Sequence, residues 1–233
     1  MHAPGDHAQR PPLDPAYLFE DYTSTVLRSP GKALVVPPAG WSELTGPQFG
    51  EGDVRESDAD LTLHGSGEAI GERIIVHGRV TDSYGKPVPS TLVEIWQANA
   101  AGRYIHSLDQ HPAPLDPHFV GAGRCLSDED GRYRFTTIKP GPYPWKNHTN
   151  AWRPAHIHLS LFGRAFTQRL VTQMYFPGDP LFFQDPIFNS VRDESARKRL
   201  ISAYDHTATS PAWATGYRFD IVLGGAAATP WEA

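Results

Sequence analysis

Apolar and polar positions alternate over short stretches from Glu72 onward, a period typical of β-strands with one buried face. Turn-forming residues separate these stretches, as in 128–131. Only 193–204 has a helical pattern, with acidic residues in its first turn and Leu200, Ile201 and Tyr204 on one face. We therefore predict an all-β fold, a β-sandwich of mixed or antiparallel sheets with extensive loops and one short helix near the C-terminal part. The predicted strands are 73–80, 91–97, 132–136, 156–161, 169–176 and 217–223.

Residues 1–70 differ from the rest of the chain, because they are rich in Pro, Gly and Asp and show no sustained period. Such a segment cannot bury enough apolar surface to fold alone. We predict a long N-terminal arm that contacts a partner, followed by one catalytic domain over 71–233.

Composition narrows the possible partners and the compartment. The chain has 233 residues and a formal net charge of −5 without long runs of one sign, which disfavours nucleic acid and anionic membranes as partners. Its single cysteine, Cys125, allows no intrachain disulfide, and we interpret it as a small buried side chain. Neither a signal segment nor a long apolar span is evident, so we expect a cytoplasmic protein.

A pair of histidines is the most informative feature of the chain. On a strand, His156 and His158 point to the same face about 7 Å apart, and two such imidazoles can hold one metal ion. Taken alone, an isolated His-x-His is more often an ordinary strand pair without a metal. Its surroundings must decide between the two interpretations.

Two tyrosines lie in suggestive places near this pair. Tyr143 stands in the Pro-rich run 139–145, which predicts an ordered, irregular loop, and Tyr104 follows the strand 91–97. The chain has nine tyrosines. Spacing alone does not select these two over Tyr133 or Tyr175.

The stretches 93–99, 102–104, 138–145 and 152–158 together resemble the intradiol ring-cleaving dioxygenases, and the similarity extends from about Tyr22 to 217–223. The resemblance implies one non-haem Fe(III). Phenolate, a hard anionic donor, suits ferric iron, whose charge must expel the phenolic proton. The implied ligands are two tyrosinates and two histidines: Tyr104, Tyr143, His156 and His158.

The resemblance also implies roles for further residues. Tyr143 would act as a general base when a catechol docks as a dianion, while Tyr104 stays bound. Arg153 would place a fixed cation beside the metal, although its odd offset from His156 and the intervening Pro154 make its direction uncertain from sequence. The substrate pocket would be lined by Tyr22, Trp145, Arg153, Gln173 and Ile187.

The implied reaction is ring cleavage of a catechol by O2 in aromatic catabolism. Within the resembled family, the enzymes that act on plain catechol carry a helical N-terminal dimerisation region, and no amphipathic helical period appears before Glu72. The resemblance therefore implies protocatechuate (3,4-dihydroxybenzoate) as substrate, with 3-carboxy-cis,cis-muconate as product in the β-ketoadipate pathway. The implied partner is an α subunit, in αβ protomers of a higher oligomer. Two alternatives stay open: a related dioxygenase for another catechol or hydroxyquinol, and a non-catalytic β-sandwich binding subunit without iron.

Overall fold

The computed structural model describes residues 14–33, 35, 51–63, 65–145, 152–163 and 169–232. Its strands are β1 (Arg73–Thr81), β2 (Leu92–Trp96), β3 (Ala122–Leu126), β4 (Arg132–Ile138), β5 (Tyr143–Pro144), β6 (Trp152–Arg153), β7 (His156–Phe162), β8 (Arg169–Tyr175), β9 (Ala203–Tyr204), β10 (Thr215–Arg218) and β11 (Ile221–Val222). The helices are α1 (Ser24–Arg28), α2 (Pro186–Ser190) and α3 (Glu194–Lys198), with short 3₁₀ turns at Glu51–Asp53, Glu56–Ala59, Leu61–Leu63 and Phe182–Gln184. No helix in the described ranges is long and apolar enough to cross a membrane.

The strands form two main sheets and one small one. In the first sheet, β1 pairs antiparallel with β4 along one edge and parallel with both β10 and β11 along the other, while β9 pairs with β10. The second sheet is antiparallel throughout, in the order β3-β2-β7-β8. Strands β5 and β6 form a separate two-stranded ladder.

Apolar side chains from both main sheets pack into one cluster, which makes the fold a sandwich. Ile74 of β1 and Phe135 of β4 meet Ile95 of β2 and Leu159 of β7 there, and all four are buried. Leu61 from the N-terminal segment joins the same core. The predicted all-β sandwich with mixed and antiparallel sheets is therefore confirmed.

Strand β7 is buried on both faces. Its side chains point alternately into the core and toward the candidate site. Ile157, Leu159 and Leu161 enter the core, so His156 and His158 stand on the opposite face. The register aligns cross-strand neighbours on that second face: His158 lies between Trp96 of β2 and Gln173 of β8, and His156 is opposite Tyr175.

The helix predicted over 193–204 is wrong in its extent. Asp193 caps α3 by accepting a hydrogen bond from the Ala196 amide, but the helix ends at Lys198. Beyond it, the Tyr175 amide donates to the Leu200 carbonyl and the Ser202 amide donates to the Tyr175 carbonyl. These bonds to the end of β8 draw the chain into an extended path, so 203–204 form β9.

Several other boundaries differ from the sequence prediction. The strand expected over 217–223 is interrupted, because the Phe219 amide turns to the His77 carbonyl between β10 and β11. The loop 139–145 contains the two-residue strand β5. Strand β3 and helices α1 and α2 were not predicted: β3 is short and consists mainly of small residues, and each helix has five residues, too few to show a period.

The N-terminal arm is described only in part, since 1–13, 34, 36–50 and 64 lie outside the described residues. Some described side chains of the arm pack on this same chain: Leu61 is in the core and Tyr22 is buried against Trp145. Others, such as Val26 and Leu27 of α1, are exposed.

Candidate metal centre

The four predicted ligand side chains form a closed cycle of neighbouring rings. The Tyr104 and Tyr143 ring centroids are 5.2 Å apart, and those of Tyr143 and His156 are 5.4 Å apart. His156 and His158 follow at 4.9 Å, and His158 is 6.4 Å from Tyr104. Side chains 54 positions apart in sequence therefore surround one small volume.

The loop after β2 holds Tyr104 through one asparagine. Asn99 accepts hydrogen bonds at its side-chain oxygen from the amides of Ala101 (3.0 Å) and Arg103 (2.9 Å). The Tyr104 amide then donates to Asp109 Oδ2 at 2.8 Å. Such side-chain bonds to backbone fix a loop that has no sheet partner of its own.

The Tyr104 loop touches the Tyr143 loop at a glycine. Gly102 has φ +76°, and a Cβ there would lie 2.2 Å from the Pro142 carbonyl oxygen and 3.2 Å from the Tyr143 Cβ. Only glycine permits both this backbone conformation and this approach. The contact brings the two phenol-bearing segments together.

Pairing of β5 with β6 places Arg153 beside Tyr143. These two residues are register partners, and Arg153 Nη1 donates to the Tyr143 hydroxyl at 3.3 Å and to His156 Nε2 at 3.0 Å. The guanidinium therefore turns toward the candidate metal centre, which the sequence left open.

A buried carboxylate fixes that guanidinium. Asp185 accepts from Arg153 Nε at Oδ1 and from Nη2 at Oδ2, both at 3.0 Å, and both side chains are almost fully buried. Tyr175 donates its hydroxyl to Asp185 Oδ2 at 2.9 Å. Burial acts to raise the pKa of Asp185, but the charge of Arg153 outweighs it and holds that pKa below its usual value.

His156 is held as a neutral ring with one defined tautomer. Its Nδ1 donates to the Pro154 carbonyl at 2.7 Å, so the lone pair lies on Nε2. Burial, and then the charge of Arg153, keep the pKa of His156 well below its usual value. A neutral imidazole whose Nε2 carries the lone pair is the form that binds a metal, and in the structure that lone pair accepts from Arg153 Nη1.

His158 is enclosed by an aromatic ring and a carboxylate. Trp96 stacks on it at 4.8 Å with an interplanar angle of 5°, and its Nδ1 lies 3.3 Å from Glu232 Oε2. Burial raises the pKa of Glu232, but attraction by His158 outweighs this and leaves that pKa below its ordinary value. Glu232 is thus an anion beside the site.

The Tyr104 hydroxyl carries the clearest sign of a missing partner. Its oxygen is buried and has no hydrogen-bond partner among the described residues. Burial and the neighbouring Tyr143 raise the pKa of Tyr104 well above its usual value, so a phenolate there needs a strong cation. Within the described ranges no three His, Cys, Asp or Glu side chains cluster as metal ligands. The donor set fits a hard trivalent ion.

The predicted pocket residues lie around Arg153. Trp145 places its ring 5.3 Å from the guanidinium carbon, and Tyr22 meets Trp145 edge to face at 5.0 Å. Gln173 accepts from Arg153 Nη2 at 2.6 Å. Ile187 of α2 is buried and shares a small cavity with Gln173. Gln173 and Tyr22 are both buried.

Sequence reasoning did not identify four neighbours of the centre: Trp96, Tyr175, Asp185 and Glu232. Two of them carried a signal. Asp185 precedes Pro186, a helix-start pattern, and Trp96 ends a strand that pairs with β7. Nothing in the sequence marks Glu232, because it reaches His158 only through the path of the folded chain.

Comparisons with known proteins agree with this geometry. A family model described as Dioxygenase matches residues 44–225. The protocatechuate 3,4-dioxygenase beta chain of Burkholderia cepacia is 57% identical over 223 residues, 95% of this chain and 94% of that one. Hydroxyquinol 1,2-dioxygenase of Rhizobium sp. (strain MTP-10005) is 34% identical over 65% of this chain and 53% of its own length. Among solved structures, 3-chlorocatechol 1,2-dioxygenase of Rhodococcus opacus 1CP superposes with a TM-score of 0.53 at 27% identity, covering 72% of this chain and 66% of that one.

The resemblance that rested on four short stretches thus extends over most of the chain, and the side chains it singled out lie together on one face of the second sheet. The chain belongs to the intradiol ring-cleaving dioxygenase family.

Proposed function

We propose that this chain catalyses intradiol cleavage of protocatechuate by O2 at a non-haem Fe(III), giving 3-carboxy-cis,cis-muconate. Tyr104, Tyr143, His156 and His158 would hold the ion. The observation that carries the proposal is the closed cycle of these four rings around one volume. When bound, the ferric ion favours ionised phenols and draws electron density from a bound catechol, which makes the ring reactive toward dioxygen.

The two tyrosines have different surroundings, which supports different roles. The Tyr104 oxygen has no donor among the described residues, so its phenolate would depend on the metal, and Tyr104 would remain a ligand. The Tyr143 oxygen also receives an N–H from Arg153 at 3.3 Å. This donor would stabilise a Tyr143 phenolate, so Tyr143 could accept a proton from an incoming catechol.

Arg153 would be the fixed cation of the site. Its clamp by Asp185 and its bond to Gln173 orient the guanidinium before substrate arrives. A preorganised donor stabilises negative charge that develops on the bound ring without a further cost in reorientation. Trp145, Tyr22, Gln173 and Ile187 would form the walls of the substrate pocket.

We further infer that the chain binds an α partner and that different segments serve partner contact and catalysis. The relative that matches nearly the whole sequence is named a beta chain, which supports a heteromeric assembly. Residues 1–70 would contact the partner and 71–233 would carry catalysis. The exposed apolar side chains of Val26 and Leu27 on α1 suit such a contact.

The test is an oxygen-uptake assay of iron-loaded protein with protocatechuate, catechol and hydroxyquinol, with and without a co-expressed α partner. We expect the highest kcat/KM with protocatechuate and consumption of one O2 per ring opened. Greater kcat/KM with catechol or hydroxyquinol would favour the related-dioxygenase alternative. Absence of turnover with all three in the complex would favour the non-catalytic binding subunit.

A further inference from the structure

A carboxylate from the far end of the described chain reaches the second histidine. Glu232 Oε2 lies 3.3 Å from His158 Nδ1, and the side chains are only 16% and 11% exposed. A carboxylate oxygen accepts hydrogen bonds, so a contact at this distance is completed by a proton on His158 Nδ1. The Nε2 lone pair of His158 is then free for a metal.

The segment that carries Glu232 is anchored along its whole length. The Thr229 amide donates to the Val222 carbonyl, and Thr172 Oγ1 donates to the Pro230 carbonyl at 2.8 Å. The Glu232 amide donates to the Val171 carbonyl at 2.7 Å. The segment therefore runs from β11 of the first sheet to the edge strand β8 of the second, whose residue Gln173 faces the site.

The N-terminal segment adds a second clamp on the same stretch. Asp14 Oδ1 accepts from the Trp231 amide at 3.2 Å, and Tyr17 meets the Trp231 ring edge to face with centroids 6.3 Å apart. The position of Glu232 is thus determined by backbone bonds to β8 on one side and by the arm on the other. A surface side chain that met His158 by chance would lack this support.

We propose that Glu232 is a positioning residue for the metal centre, which holds His158 in its Nδ1–H tautomer and orients its Nε2 toward the metal. This inference rests on the proposed function for its consequence, retention of iron, but the tautomer itself belongs to the metal-free chain. A carboxylate behind a ligating imidazole fixes the ring and increases its basicity, and removing such a partner typically weakens metal binding 10- to 100-fold.

The two histidines would then be positioned by different means. His156 donates its Nδ1 proton to the backbone carbonyl of Pro154, which no side-chain substitution removes. His158 depends on a side chain, so its tautomer can be altered by a single substitution. This difference makes the proposal testable with His156 as an internal reference.

The variants are Glu232→Ala, which removes the acceptor, and Glu232→Gln, which keeps an acceptor oxygen and the size but loses the charge. The matched control is Asp205→Asn. Asp205 also pairs with a histidine, His77, at 3.0 Å, but in the first sheet and away from the four ligands. All variants are made in the full chain, prepared with the same partner as the wild type.

The first readout is the tautomer of the neutral His158 ring in metal-free protein at alkaline pH, from long-range ¹H–¹⁵N correlation of the ring nitrogens, with the signals assigned through His158→Asn. We expect the Nδ1–H form of His158 in the wild type, in Glu232→Gln and in Asp205→Asn, and a mixture of tautomers in Glu232→Ala. His156 stays unchanged in all of them. A folded Glu232→Ala with the wild-type His158 tautomer overturns the proposal.

The second readout is the rate at which iron-loaded protein loses Fe(III) to excess EDTA. We expect release 10- to 100-fold faster in Glu232→Ala, an intermediate rate in Glu232→Gln and the wild-type rate in Asp205→Asn. If Glu232→Ala does not fold, a wild-type release rate in Glu232→Gln overturns the proposal. If the wild type takes up no iron, the proposed function fails, while the tautomer comparison still decides the role of Glu232.

Discussion

At the scale of single residues, the Tyr104 hydroxyl destabilises the metal-free fold but is needed to bind the metal. Its oxygen is buried and without a described partner, which costs free energy in the metal-free fold. We predict that Tyr104→Phe leaves the metal-free protein as stable as the wild type or more stable by about 1–3 kcal/mol, yet nearly abolishes iron binding. Chemical denaturation and metal analysis measure the two effects.

Tyr133 is the matched control for that substitution. Its hydroxyl is buried but donates to the Phe219 carbonyl at 2.5 Å, far from the metal centre in the first sheet. Tyr133→Phe should lower the free energy of unfolding by about 1 kcal/mol and keep the iron content. Normal iron content in Tyr104→Phe would refute its assignment as a ligand.

The Arg153–Asp185 pair gives a prediction on stability and pH. Asp185→Ala leaves a buried guanidinium without its counter-charge and should cost about 3–5 kcal/mol. The pKa of Asp185 is lower folded than unfolded, so its stabilisation is complete above the unfolded pKa of about 4 and is lost as pH falls through the folded pKa.

Wild-type protein should therefore lose stability on acidification below about pH 4 more steeply than Asp185→Asn. Urea unfolding of both proteins between about pH 6 and pH 2 measures the difference. Glu194→Gln, which removes an exposed pairing with Lys198, is the control and should follow the wild type. Parallel profiles for wild type and Asp185→Asn would contradict the assigned role of the buried pair.

At the scale of elements, the contact between the two tyrosine-bearing loops depends on Gly102. An alanine there would have to adopt a left-handed φ of +76°, and its Cβ would lie 2.2 Å from the Pro142 carbonyl oxygen. We predict that Gly102→Ala lowers stability and iron content together, because the loops of Tyr104 and Tyr143 are forced apart.

Gly85→Ala is the control that distinguishes backbone strain from steric contact. Its φ is +78°, but a Cβ there meets nothing within 4 Å. Gly85→Ala should cost about 1 kcal/mol for backbone strain alone and keep its iron. Equal iron content in Gly102→Ala and Gly85→Ala would show that the loop contact is not needed for the metal centre.

Sequence pattern predicted the elements that depend on local alternation and missed those that depend on distant partners. β4 and β7 were predicted because their side chains alternate between core and the opposite face. The helix expected over 193–204 ends early, because the end of β8 supplies backbone hydrogen bonds that no local pattern encodes. The direction of the Arg153 side chain is set by the pairing of β5 with β6. The sequence did not predict this pairing, because the prolines in and around both strands are not typical of a β-strand.

At the scale of the whole molecule, the candidate site is a product of topology. β7 supplies two imidazoles, two loops supply the phenols, and β8 and α2 complete the surroundings of Arg153. The four ligands were identified from the family resemblance. Residue spacing alone did not distinguish Tyr104 and Tyr143 from the other tyrosines. The contacts of Asp185 with Arg153 and of Glu232 with His158 span 32 and 74 positions, so only the fold could indicate them.

In the proposed site, two phenols and two imidazoles of this chain hold one ferric ion. The most direct test is the visible absorption spectrum of the purified iron-loaded protein, together with its iron content. We expect one iron per chain and a broad phenolate-to-iron charge-transfer band that disappears when the iron is removed and in Tyr104→Phe. Colourless protein with bound zinc, or with no metal after exposure to iron, would contradict this expectation.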